Sequence, residues 1–296
     1  LATNNATELY ENYALDFDGS NDYIDCGVNS SLVSATNFSV SGWFYFNASA
    51  ATGKTFYSYG GSTGPQYSFT VQTHSGGNIL FAIADGITDG GGNYIKTNLT
   101  TPLTTGEWYN IVCTYDGSQA GDTDKAKVYV NGVEATYGTG VGTIPDTTSA
   151  STGTFNIGIW EGIGRYFNGD ISNVAIFSST LSSPQITTLY NSGKPFDLNT
   201  FAVTPVSWWR LGSVNSSYNS TTSEWTVLDE IGTNNGTGSN LGPAQTALTD
   251  GVGATGNGVS SGMSSGTNKI GDAPYSTKNA VSYNMSVTAK STSVPT

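Results

Sequence analysis

Apolar and polar residues alternate along the chain from about residue 13 to residue 180. In Phe38-Ser39-Val40-Ser41-Gly42-Trp43-Phe44-Tyr45-Phe46, Phe38, Val40, Phe44 and Phe46 share one face. Ser39, Ser41, Trp43 and Tyr45 share the other, so the strand carries aromatics on both sides and expects cover on both, as in a two-sheet sandwich. Further strands are predicted at Tyr67 to Val71, Ile79 to Ala84, Trp108 to Tyr115, Ala126 to Val130, Phe155 to Ile159 and Ile171 to Phe177. Asn131-Gly132 between two such runs predicts a two-residue hairpin turn, because both residues tolerate the positive φ it requires. One short helix is expected, capped by Ser182 or Ser183, with Pro184 in its first turn, Ile186, Leu189 and Tyr190 on its apolar face, and Gly193 ending it.

The pattern changes near Pro195, which sets expected domains at 1–195 and 196–296. Residues 201–230 keep an aromatic strand pattern around Trp208, Trp209 and Trp225. Residues 232–272 hold 11 glycines in 41 positions, a composition that predicts disorder or linker.

Composition narrows the class. Charged residues make up 11% of the 296, against roughly 25% in an average soluble domain. With 38 glycines, the chain has turn and polar-strand chemistry. A net charge of −12, with Arg165 and Arg210 the only arginines, excludes a nucleic-acid partner. No apolar run is long enough to span a membrane as a helix. Cys26 and Cys113 fit one disulfide or two buried thiols equally well. The start at Leu1 without a signal peptide reads as a processed or trimmed form.

Five segments carry a family resemblance. They are Ala14-Leu15-Asp16-Phe17-Asp18-Gly19-Ser20-Asn21-Asp22-Tyr23-Ile24, Phe38 to Trp43, Gly106-Glu107-Trp108-Tyr109-Asn110-Ile111-Val112, Lys127-Val128-Tyr129-Val130-Asn131-Gly132, and Phe167-Asn168-Gly169-Asp170-Ile171-Ser172-Asn173-Val174 with Leu181 to Tyr190. In this order they resemble a laminin G-like or pentraxin-like domain of the concanavalin A-like superfamily over roughly residues 13–192. The resemblance implies an all-β, two-sheet antiparallel jelly-roll sandwich. Val206-Ser207-Trp208-Trp209-Arg210-Leu211 is similar to the opening strand of such a domain, yet here it follows the body. Because an uncovered sheet edge is a liability, Val206 to Leu211 is expected to pair into a jelly-roll sheet, of its own chain or of a neighbour; the alternative is a separate small β subdomain built by residues 201–296 alone. Trp208 and Trp209 would then face opposite ways. The layout also resembles virion structural proteins of marine bacteriophages.

Glycan hydrolysis on this fold usually resembles closely alternating acidic residues on one strand. Glu107, Glu134 and Glu161 each stand alone here, with Glu224 and Glu230 in the C-terminal segment, so no catalysis is expected. His74, the only histidine, lacks the neighbours of a triad. Asp18, Asn21 and Asp22 place oxygen-bearing side chains in one turn. They either bind calcium or hold the turn. The resemblance adds Asp170 to a calcium set. Sugar binding needs exposed aromatics flanked by planar polar groups. Trp160, Tyr166, Tyr94 and His74, next to Gly-rich turns, are the candidates; the alternative is aromatics that merely cover the sheet.

The expected function is a non-catalytic structural or binding component of an extracellular assembly, foremost a phage virion surface protein with a lectin-like jelly roll. Its partners would be other assembly subunits or further copies of itself, with surface glycans as ligands. A secreted carbohydrate-binding adhesin is the alternative, and a polysaccharide-degrading enzyme is disfavoured by the scattered carboxylates.

Overall fold

The computed structural model describes residues 14–47, 53–60, 67–84, 93–150, 153–160, 162–211 and 216–241. Glu161 and the tail beyond residue 241 lie outside them. In chain order the first strands are β1 (Leu15–Asp18), β2 (Tyr23–Asp25), β3 (Asn37–Phe46), β4 (Thr55–Gly60), β5 (Tyr67–His74), β6 (Asn78–Ile83), β7 (Tyr94–Lys96) and β8 (Trp108–Asp116). Then come α1 (Asp122–Lys125), β9 (Ala126–Val130), β10 (Val133–Glu134), β11 (Thr154–Ile157), β12 (Ile159–Trp160), β13 (Arg165–Tyr166), β14 (Asn168–Phe177) and α2 (Ser183–Tyr190). The last are β15 (Ser207–Trp209), β16 (Ser216–Asn219), β17 (Glu224–Val227) and β18 (Gly236–Ser239).

Two antiparallel sheets form a jelly-roll sandwich, as expected. One runs β1-β14-β3-β8-β9-β10, with β15 also on β14; the other runs β16-β17-β18-β2-β11-β4-β5-β6-β7. Alternation puts Phe38, Val40, Phe44 and Phe46 of β3 into the core between the sheets, against Phe56, Tyr57, Phe69 and Phe167. On the other face of β3, Trp43 stacks on Tyr190 of α2 at 5.9 Å. A second apolar layer thus covers the seven-stranded sheet: Ile186 and Leu189 of α2, Leu198 and Phe201 pack on Val112, Ala175 and Trp208.

The Asn131-Gly132 turn joins β9 and β10 with φ of 53° and 80°, as its chemistry requires. Helix α2 starts where expected: the Ser182 N–H donates to Gln185 Oε1 at 2.8 Å. It stops earlier than expected, at Asn191 in the left-handed region (φ 45°), because asparagine can supply that conformation before Gly193 is reached. Cys26 and Cys113 are buried free thiols, and burial pushes both well above the usual thiol range.

The segment at 206–211 joins its own chain. β15 pairs antiparallel with β14, Ser207 opposite Ile176 and Trp209 opposite Val174. Trp209 enters the core, stacked on Phe155 at 5.4 Å, and its Nε1–H donates to the Asn234 carbonyl at 2.7 Å. Trp208 faces the outer layer, where its Nε1–H donates to Asn173 Oδ1 at 3.3 Å. Hydrogen-bonded pairing therefore crosses position 195 in both sheets, since β18 also pairs with β2. The linker expected from residue 232 is corrected at Gly236–Ser239, which form strand β18. The glycines are what fit it there: a Cβ on Gly236 would lie 2.5 Å from Ile24 Cγ2, and one on Gly238 would lie 2.9 Å from Trp225 Cβ.

Candidate functional site

The outer face of the nine-stranded sheet follows from the same alternation. Phe69 and Val71 of β5, and Ile79, Phe81 and Ile83 of β6, enter the core. Gln72 and His74, then Leu80 and Ala82, therefore face outward. In register, Thr70, Ala82 and Tyr94 form one row across β5, β6 and β7, and Gln72, Leu80 and Lys96 form the next.

A two-stranded ribbon lies over this face. The chain leaves β11 at Gly158, whose φ of 83° and close approach to Phe17 (2.7 Å for a Cβ) suit only glycine. It then runs out along β12 and back along β13, with Ile159 opposite Tyr166 and Trp160 opposite Arg165. Two bonds tie the ribbon down. Ser58 Oγ donates to the Ile159 carbonyl at 2.8 Å, and Arg165 Nη1 donates to Gln72 Oε1 at 2.8 Å.

The result is a buried apolar strip partly covered by aromatic rings. Tyr67, Leu80, Ala82 and Ala84 form a small cluster, and half-buried Trp160 and Tyr94 pack against it. Trp160 meets Tyr67 edge-on at 5.2 Å, and the Arg165 guanidinium sits 5.2 Å from the Trp160 ring centre. His74 lies at the end of the strip. Partial burial, then the charges of Lys96 and Arg165, hold its imidazole below the usual value. Of the four aromatic candidates, the fold gathers Trp160, Tyr94 and His74 on this face. Tyr166 alternates to the other side of the ribbon from Trp160 and Arg165.

Arg165, Gln72, Lys96 and Leu80 escape sequence reasoning. Arg165 and Gln72 are 93 residues apart, and only the folded ribbon brings them together. The available signal was β6 itself, Ile79 to Ile83, apolar at successive positions and hence on both faces.

The four calcium candidates do not form a converging set. Asp18 Oδ1 accepts from the N–H groups of Ser20 (2.7 Å) and Asn21 (3.3 Å), while Asp22 Oδ2 accepts from the Asp18 N–H at 2.8 Å. Asp22 is buried, and the Asn21 carbonyl accepts from Asn240 Nδ2. Asp170 lies opposite Asp16 on the neighbouring strand and hydrogen-bonds its carboxyl. Among the described residues, no group of three or more His, Cys, Asp or Glu is placed to hold a metal ion. Asp18 and Asp22 hold their own turn through its backbone N–H groups, and no calcium chemistry is derived from the four residues.

A cavity of about 10 Å³ lies under α2, lined by Ser41, Trp43, Asn110 and Trp208 among others. It has room for about one water, which Asn110 Oδ1, without a partner among the described residues, would accept from. It cannot take a sugar.

Among curated proteins, no sequence matches the chain. Among solved structures, a candidate carbohydrate-binding protein from Bacteroides ovatus is similar at 20% identity and TM-score 0.53, over 77% of this chain. The match spans 58% of that protein's length. A heptameric SAP-like pentraxin from Limulus polyphemus aligns at 18% identity and TM-score 0.45, over 61% of this chain and 82% of the pentraxin. The Ruminococcus gnavus IT-sialidase CBM40, bound to α2,3-sialyllactose, aligns at 13% identity and TM-score 0.43, over 60% of this chain and 96% of that one. The laminin G family described as the concanavalin A-like lectin/glucanases superfamily matches residues 18–187. With more than half of its length matched and the two-sheet jelly roll in place, the chain belongs to the concanavalin A-like lectin/glucanases superfamily.

Proposed function

We propose that the chain is a non-catalytic carbohydrate-binding protein, and that the outer face of the nine-stranded sheet is its binding surface. One observation carries this reading: the partly exposed rings of Trp160 and Tyr94, both seated on the buried apolar cluster of Leu80, Ala82 and Ala84. Sugar rings present C–H faces to aromatic side chains and hydroxyls to planar polar groups, and both kinds of partner are available here. The name of the Bacteroides ovatus relative agrees with the reading.

The carboxylates support a binding rather than a cleaving role. Glu134 is engaged by Lys127 at 3.1 Å on β10, at the edge of the other sheet, and Glu224 lies on β17, far from β5–β7 in strand order. On the layout of its sequence, we place this unit on a virion surface or in another extracellular assembly, among other subunits or copies of itself. Labelling of intact particles by an antibody to the chain tests that setting.

The binding reading is tested by screening the intact chain on a glycan array. Trp160→Ala and Tyr94→Ala should each weaken the strongest hit at least tenfold, about 1.4 kcal/mol. Unchanged binding in both variants would move the site elsewhere.

A further inference from the structure

We propose that the glycan taken by this face is acidic, bearing carboxylate or sulfate groups that Arg165 and Lys96 receive. The inference rests on the carbohydrate-binding reading and adds the chemical class of the ligand. It starts from how the cations of an acidic chain are used. The two ion pairs among the described residues employ Lys125 with Asp146 and Lys127 with Glu134. Arg165 is held instead by neutral groups, the Gln72 carboxamide and the Trp160 ring. Gln72 is only 3% exposed, so its oxygen is a fixed, pre-formed anchor for the guanidinium. The bond to Gln72 uses Nη1, and the Arg165 side chain makes no other hydrogen bond among the described residues. The rest of the fork remains for a planar anion, which guanidinium groups bind bidentately.

Lys96 completes the pair. It stands in the same row as Gln72 with Leu80 between them, two strand spacings or roughly 10 Å away. The two cations therefore stand on either side of Leu80, at one end of the apolar strip. Both also bear on His74, which places three basic side chains at one end of the platform. The chain carries −12 overall and repels anions at long range. Screening confines that repulsion to about 10 Å at 0.1 M salt, so this local group decides binding at contact.

The test is titration of the intact chain with alginate oligosaccharides and their carboxyl-reduced forms, and with carrageenan oligosaccharides and their desulfated forms. We expect at least one acidic form to bind tenfold or more tightly than its neutral counterpart, with affinity falling as salt rises. The two series distinguish carboxylate from sulfate. Arg165→Gln and Lys96→Gln should each lower that acidic affinity at least fivefold. Lys194→Gln, the same charge change beyond α2, should leave it within twofold and so separates local contact from net charge. Equal affinity for acidic and neutral forms overturns the inference and leaves the carbohydrate reading standing. Acidic binding indifferent to Arg165 and Lys96 also overturns it. Failure of every glycan, here and on the array, removes the carbohydrate reading itself.

Discussion

Asp16 illustrates how one side chain carries burial and charge together. Its carboxyl is held above the usual carboxylate range, first by burial and further by the charge of Asp18, against hydrogen bonds from Asp170 and Asn47. A hydrogen bond between two carboxyls requires that one of them keep a proton. With the folded value raised, the stabilising contribution is full below the unfolded value, about 3.9, and is lost as pH rises through the folded value. Asp16→Asn keeps a hydrogen-bonding side chain but cannot ionise. Its Tm, relative to the unsubstituted chain, should be higher at pH 7 than at pH 4, and a constant difference across that range would contradict the assignment. The same residues limit what sequence could say about metal binding. Oxygen-bearing side chains were legible at Asp18, Asn21 and Asp22. That two of those carboxylates turn back on backbone N–H groups of the same turn was not, because an ion-binding turn and a self-bonded turn share one composition.

Among the elements, the β9–β10 hairpin is written most plainly into the chain. Asn131 needs its positive φ, and its side chain also accepts the Asn110 N–H at 2.9 Å, stitching the turn to β8. Asn131→Ala loses both the turn preference, about 1–2 kcal/mol, and the hydrogen bond, about 1 kcal/mol. A fall in Tm of roughly 4–12 °C is expected. Asn131→Gly keeps the φ and should lose about a third to a half of that. Equal losses for the two would show that the dihedral contributes nothing. Strand β15 was legible for the same kind of reason: adjacent tryptophans in an alternating run must face two apolar environments, and they do. Strand β18 was not. Its glycines signal linker by composition, yet they serve close packing, a difference visible only once Ile24 and Trp225 are in place. The ribbon β12–β13 was hidden similarly, since alternation locates strands but not which sheet a two-residue strand folds across.

At the scale of the molecule, one core between the sheets holds both thiols. Cys26 lies beside the nine-stranded sheet and Cys113 on β8 of the other, each with an exposure of 1% or less. Neither can reach a reagent without separation of the sheets, and burial keeps both protonated. Alkylation by iodoacetamide should therefore proceed at the rate of global opening, with both cysteines modified together and no change of Tm on adding reductant. Rapid labelling of one thiol in native buffer would show a local opening that this packing does not allow.

The placement of β15 also has a consequence in time. Strands β1 and β15 line the same edge of β14, one against each half, so that edge is closed by residues separated by most of the domain. During synthesis, the 32 residues from Phe177 to Trp209 take roughly 2–6 s to appear at 5–20 residues per second. For those seconds the seven-stranded sheet has its other strands, but half of β14 has an open rim and the slot beside Phe155 lacks its ring. Val206 to Leu211 acts as a latch delivered last to its sheet, and the interval before it arrives leaves that rim of a growing chain open to pairing with the wrong neighbour.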